Sequence, residues 1–195
     1  MINQKRFIVN TIFTLVLFFS ISIFIHELFH HLLGVSSEFS LQKNYHLEPI
    51  TYENKEIGII GSMAGPFINL LLAYIGYFLY KYGKKSLKNI GYFIGVTNAF
   101  LIISSAFINL IVDLMSGSMG NDLEVVSSLL GWNIFVLPII VIILGVFPFM
   151  YFLNNCKCLF KKKYQLFLAL FLGWLIAGLS LMIFDNIFKI RFKIK

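Results

Sequence analysis

The chain has 195 residues, of which 58% are hydrophobic, 17% aromatic and only 13% charged, and its mean hydropathy is +0.84. A soluble domain holds about 45–50% apolar residues, by a count that also includes glycine, and about 25% charged ones. That comparison excludes a soluble globular domain and predicts an all-α integral membrane protein, a multi-pass protein of the cell membrane. The net charge of +7 comes from lysines flanking apolar runs, where it reflects topology and contact with anionic lipid. No nucleic-acid-binding motif accompanies it. Two cysteines, Cys156 and Cys158, exclude a disulfide framework. In their lysine-rich connector they read as ordinary interfacial residues, with metal binding or acylation as the alternative.

Residues 1–6 are polar and carry Lys5 and Arg6, and from Phe7 to about Leu33 the chain is apolar until His26. The run is too long for a signal peptide, and no small-residue cleavage site follows it. At about 1.5 Å per residue, some twenty residues cross a hydrocarbon core of about 30 Å. A crossing that starts at Phe7 finishes near His26. The segment His26-Glu27-Leu28-Phe29-His30 therefore falls in the last third of the first span, shallow enough for water.

This HExxH pattern has a mechanical reading. Residues four apart share one helix face, so His26 and His30 can reach one metal ion, and Glu27 can take a proton from a water on that metal. An ionisable residue at the bilayer centre costs roughly 2.5–3.5 kcal/mol on insertion scales. Three polar groups in five positions of an apolar run need a reason, and a buried metal supplies one.

Gly34 ends the first helix, and residues 35–57 are the most polar stretch. Weak alternation over 39–42 and 50–52 predicts a short β-hairpin or re-entrant loop at the interface. A second span runs from Gly58 to Tyr80 and opens with GSMAGPFINLLLA, whose Gly61, Ala64 and Gly65 permit close helix approach. Read alone, that segment is a packing face. Pro66 removes a backbone donor, and Asn69 follows one turn later. After the basic connector 81–88, a third span covers Ile90 to Met115 with Asn98, Asn109 and Asp113. Residues 116–124 read as a glycine-rich loop. A fourth span lies within Val125–Leu153, interrupted by Gly131, Pro138, Gly145 and Pro148. A second basic connector, 154–163, leads to a fifth span, Tyr164–Phe188, whose Asp185 is expected at the interface beside Lys189. No repeat or linker divides the chain, so residues 1–195 form one membrane-embedded domain: a three-helix core over 7–125 and two further spans over 126–195.

With five spans crossing in alternation, the histidines, the Gly-Pro-Asn cluster and the acids after the third span all fall at one face of the bilayer. A catalytic zinc site needs a third protein ligand and an open position. Asp122 is the first choice, because a glycine-flanked loop can turn its carboxylate back to the bundle. Asp113 is the second. Glu124, Glu48 and His46 read as solvated loop residues. His31 points about 100° away from His30 and reads as a supporting or interfacial group.

Taken together, these residues resemble the site-2 protease family of intramembrane zinc metalloproteases. His26, Glu27 and His30 match its HExxH, and Ala64-Gly65-Pro66-Phe67-Ile68-Asn69 resembles its small-Gly-Pro-x-x-Asn segment. Asn109-Leu110-Ile111 begins like its Asn-x-x-Pro…Asp-Gly motif, but Val112 stands in place of the proline and Leu123, not glycine, follows Asp122. The likeness covers roughly residues 20–125. It implies a Zn2+-dependent endopeptidase that cleaves a peptide bond within or beside a transmembrane segment of a membrane protein or peptide. By that resemblance His26, His30 and Asp122 hold the metal, Glu27 is the catalytic base, and Asn69 and Asn109 contact the substrate or the developing oxyanion. Residues 38–57 would pair with an extended substrate strand. Substrate selection would come from the bundle or from an unidentified regulatory membrane partner. The alternatives are a catalytically silent relative that binds a membrane partner, or a different membrane zincin with a glutamate ligand.

Orientation is open at this stage. Lysine and arginine counting puts the amino terminus in the cytoplasm and the metal near the outer face. The family resemblance and the basic tail FKIRFKIK favour the opposite.

Overall fold

The computed structural model describes residues 4–33, 38–39, 55–116, 122–156, 162–188 and 192–193. Six helices follow one another: α1 (Gln4–Leu32), α2 (Lys55–Tyr82), α3 (Lys85–Ser116), α4 (Asp122–Leu130), α5 (Val136–Asn154) and α6 (Lys163–Phe188). Five of them, all but the nine-residue α4, are long and apolar enough to cross a membrane. Their outward faces carry large apolar side chains such as Phe13 and Ile143, which are 71% and 64% exposed. In water such surfaces would drive association; around a membrane bundle they are the surface that meets lipid.

Helices α2 and α3 form the most extensive interface, followed by α3 with α5, α1 with α6, and α1 with α2. Small residues explain the tightest crossing. A Cβ on Gly76 would lie 2.3 Å from the backbone nitrogen of Gly95, so α2 and α3 touch main chain to main chain. Two apolar clusters fill the interior. One gathers Leu15, Phe19, Tyr92, Val96, Phe152 and Leu170 from four of the spanning helices. The other gathers Ile102, Ala106, Leu123, Val126, Leu137 and Val141 around α4. Cys156, just past the end of α5, is buried in the first cluster. Between α1 and α3, the Asn98 amide donates to Ser22 Oγ at 3.0 Å.

The expected β-hairpin after the first span is not found among the described residues. Strand β1 (Glu38–Phe39) instead pairs antiparallel with β2 (Phe192–Lys193), with Glu38 opposite Lys193. The alternation that suggested a hairpin is too weak to fix a partner, and the tail supplies its own alternating aromatic and basic residues. The second expected strand, 50–52, lies outside the described residues.

The stretch expected to be loop through Glu124 is helical from Asp122. Asp122 and Glu124 occupy the first turn of α4, where carboxylates favour the exposed amides. Gly131, at φ 74°, closes the helix: its N–H donates to Ser128 O at 3.0 Å and Trp132 N–H donates to Ser127 O at 2.8 Å. That pair of bonds satisfies the last carbonyls of α4 and turns the chain into α5.

Candidate metal centre

The centre forms where the C-terminal end of α1, the opening turns of α2 and the first residue of α4 meet. In α1, residues Val9–His30 make the apolar span, so His26 lies about 6 Å from its end. The i, i+4 spacing sets the two imidazoles on one face. Their Nε2 atoms are 3.1 Å apart. Asp122 Oδ2 completes a triangle, 3.1 Å from His30 Nε2 and 3.6 Å from His26 Nε2. Three donors bound tetrahedrally at about 2.0–2.1 Å would be separated by roughly 3.3 Å. The triangle has that size, and it joins two imidazoles to a carboxylate, a donor set suited to a small divalent cation.

Each candidate ligand is held from behind. His30 is buried, and its Nδ1 lies 2.7 Å from the carbonyl oxygen of Gly61. A carbonyl only accepts, so His30 carries its proton on Nδ1 and presents a bare Nε2 lone pair. Asn69, 1% exposed, places its Nδ2 2.9 Å from His26 Nδ1 and leaves its own Oδ1 without a hydrogen-bond partner. Turning that amide over brings Oδ1 onto His26 Nδ1–H and bares His26 Nε2 in the same way. On α4, Leu123 and Val126 are buried against Ile102, Ala106, Leu137 and Val141. That packing anchors the helix while its first residue faces the imidazoles.

Gly65 makes the close approach of α2 possible. A Cβ built there would lie 2.2 Å from His30 Nε2 and 2.5 Å from His26 Nε2, so any larger residue would collide with both imidazoles. The small-Gly-Pro segment therefore packs directly on the two histidine rings. Helix α2 runs on through Pro66, which has no N–H for the carbonyl four residues earlier.

A cavity of about 360 Å³ opens beside the triangle, walled by Glu27, His26, Asp122, Asn69, Asn109 and Trp174 among others. A second chamber of about 240 Å³ shares Ile108 and Trp174 with it and is lined by Phe100, Phe107, Phe167 and Phe171. Phe107, Phe167 and Phe171 are 43–57% exposed on the outer surface, so the apolar chamber opens outward and adjoins the polar cavity at Ile108 and Trp174.

No family model, curated protein or solved structure matches this chain.

The site therefore rests on its own geometry. The structure brings His26, Glu27, Asn69, Asn109 and Asp122 around one cavity, with His30 joining His26 and Asp122 in the triangle beside it. Asn69, expected at the substrate, touches His26. Glu124, expected to be solvated, is fully buried on α4, because that segment is a helix packed on α2 and not a loop. His46 and Glu48 lie outside the described residues, as do the side chains of His31, Asp113 and Asp185. Sequence reasoning missed the Gly61 carbonyl, which has no side-chain signature, and Trp174, a sixth-helix residue outside the region that resembles the family.

The Asn69 contact gives a direct expectation. Asn69→Leu, similar in size but unable to hydrogen-bond, should lower zinc affinity about 10–100-fold in a chelator competition. Asn69→Asp keeps an acceptor for His26 Nδ1–H and should restore most of it. Equal loss in both variants would show that only packing matters at this position.

Proposed function

We propose that this chain is a zinc-dependent intramembrane endopeptidase that hydrolyses a peptide bond within or next to a transmembrane segment of a membrane protein or peptide. The observation that carries the reading is the triangle of His26, His30 and Asp122 with Glu27 on the wall of the same cavity. Two imidazoles and a carboxylate are the ligand types of catalytic zinc sites that keep one position open. When bound, zinc supplies Lewis acidity towards a carbonyl and lowers the pKa of water.

The residues of the chain do the rest. Glu27 accepts a proton from the attacking water and returns it to the leaving amine, as its place beside His26 on the cavity wall allows. Gly61 and Asn69 hold the imidazoles in the orientation that keeps both Nε2 lone pairs on one point. Asn109 offers an amide to the same space, where a substrate carbonyl or its developing charge can be held. The apolar chamber behind Trp174 suits a hydrophobic substrate segment arriving from lipid and excludes water from it.

The test is Glu27→Gln in proteoliposomes with a quenched fluorescent apolar peptide. Cleavage should fall on the order of 10²–10⁴-fold, the usual worth of a positioned base, while zinc content stays at the level of the parent. Unchanged cleavage would remove Glu27 from the reaction.

A further inference from the structure

Charge divides sharply between the two ends of the bundle. One end gathers the start of α1, the α2–α3 turn and the junction of α5 with α6. Rings of Tyr80, Tyr92 and Phe152 meet near it, and Lys163 Nζ donates to Asn154 Oδ1 at 2.6 Å. Its bases are Lys5 and Arg6 on α1, Lys81, Lys84, Lys85 and Lys88 around the turn, and Lys162 and Lys163 at the start of α6; the sequence between α5 and α6 adds Lys157 and Lys161. Not one acid occurs in any of these segments.

The metal end is the reverse. All nine Asp and Glu residues of the sequence fall within 27–56, 113–124 or at 185, in the stretches that close or follow α1, α3 and α6 or open α2 and α4. The tail bears four of the six remaining bases. Pairing of β2 with β1 sets Phe192 and Lys193 beside Phe39 and Glu38, with Lys193 opposite Glu38.

We infer that the basic end seats in the anionic cytoplasmic leaflet and that the metal centre opens on the extracytoplasmic face. Short segments rich in lysine and arginine are retained on the cytoplasmic side, and acids count for little in that choice. In chain order, ten bases fall in the segments that adjoin one end and six in those that adjoin the other. Aromatic residues mark this end as a membrane boundary, as they do at either face, and leave the choice of side to the lysines and arginines. Lys81 Nζ stands 5.4 Å from the Tyr77 ring and 4.9 Å from that of Tyr82, and Lys162 Nζ stands 5.7 Å from the Tyr164 ring. Tyrosine with lysine above it is the arrangement of a headgroup belt, ring towards the acyl chains and ammonium towards phosphate.

The orientation does not depend on the hydrolytic reading. If that reading holds, water and cleaved product are exchanged with the extracytoplasmic space. The probe is a membrane-impermeant maleimide on intact cells expressing the full chain as Glu56→Cys or Lys84→Cys, both exposed and just outside the spans, with the parent chain giving the background of Cys156 and Cys158. The Glu56→Cys variant should be labelled several-fold above background in intact cells, and Lys84→Cys only after permeabilisation. Reversed labelling, or equal labelling of both in intact cells, overturns the inference. A carboxy-terminal fusion gives a second readout: alkaline phosphatase should be active there and green fluorescent protein dark. A bright fluorescent fusion with inactive phosphatase overturns it too.

Discussion

Replacing Gly65 with alanine should empty the metal centre. The added methyl would stand 2.2 Å and 2.5 Å from the two imidazole Nε2 atoms, so the rings would have to move off the point they share. Helix α2 has little freedom to retreat, because the Gly61 carbonyl is bonded to His30 and Ser62, Ala64 and Pro66 are all buried. Zinc per chain, measured on purified protein, should fall from near one to near zero. Overpacking alone should add a destabilisation of about 1–3 kcal/mol. The neighbour Phe67, 58% exposed, is the control: Phe67→Ala should keep its zinc. A Gly65→Ala protein with full zinc would mean that the helices stand further apart than described here.

Asp122→Ala should produce the second large loss. It removes one of three donors, so zinc affinity should drop by more than the 10–100-fold that outer partners of a ligand are worth. The buried Glu124, two residues on, separates this expectation from a zincin with a glutamate ligand. Glu124→Ala should weaken the packing of α4 on α2 and lower the melting temperature, yet keep the metal. Zinc lost from Glu124→Ala and retained by Asp122→Ala would transfer the ligand role to the glutamate.

The spanning helices were legible because a membrane enforces a simple rule: each crossing must satisfy its backbone internally, and about twenty apolar residues do so as a helix. The two histidines were legible because four-residue spacing on a helix is local geometry. Asp122 was legible as a candidate only, since its approach to the imidazoles depends on where α4 packs, a tertiary fact. Helix α4 itself was hidden. It is nine residues long, and its acids and serines read as loop until Leu123 and Val126 are seen buried against α3 and α5. The pairing of 38–39 was not legible, because its partner, 192–193, lies at the far end of the sequence. Gly65 was legible as a small residue, but its reason was not, because the atoms it makes room for belong to another helix.

The balance of the site follows from its depth. Carboxylate and imidazole groups inside an apolar bundle are expensive unless paired or bound to a cation. The side chains of His26 and Asp122 are each 17% exposed and that of His30 is 6% exposed, so the three groups are largely, but not wholly, withdrawn from the surface.

Zinc K-edge X-ray absorption on the purified full chain in detergent tests the central claim most directly. It should show one zinc per chain with two imidazoles and further nitrogen or oxygen donors, no sulfur, at about 2.0–2.2 Å, and the zinc itself should be lost from Asp122→Ala. A protein that binds no zinc, or whose zinc is held by sulfur at about 2.3 Å from cysteine, would contradict it.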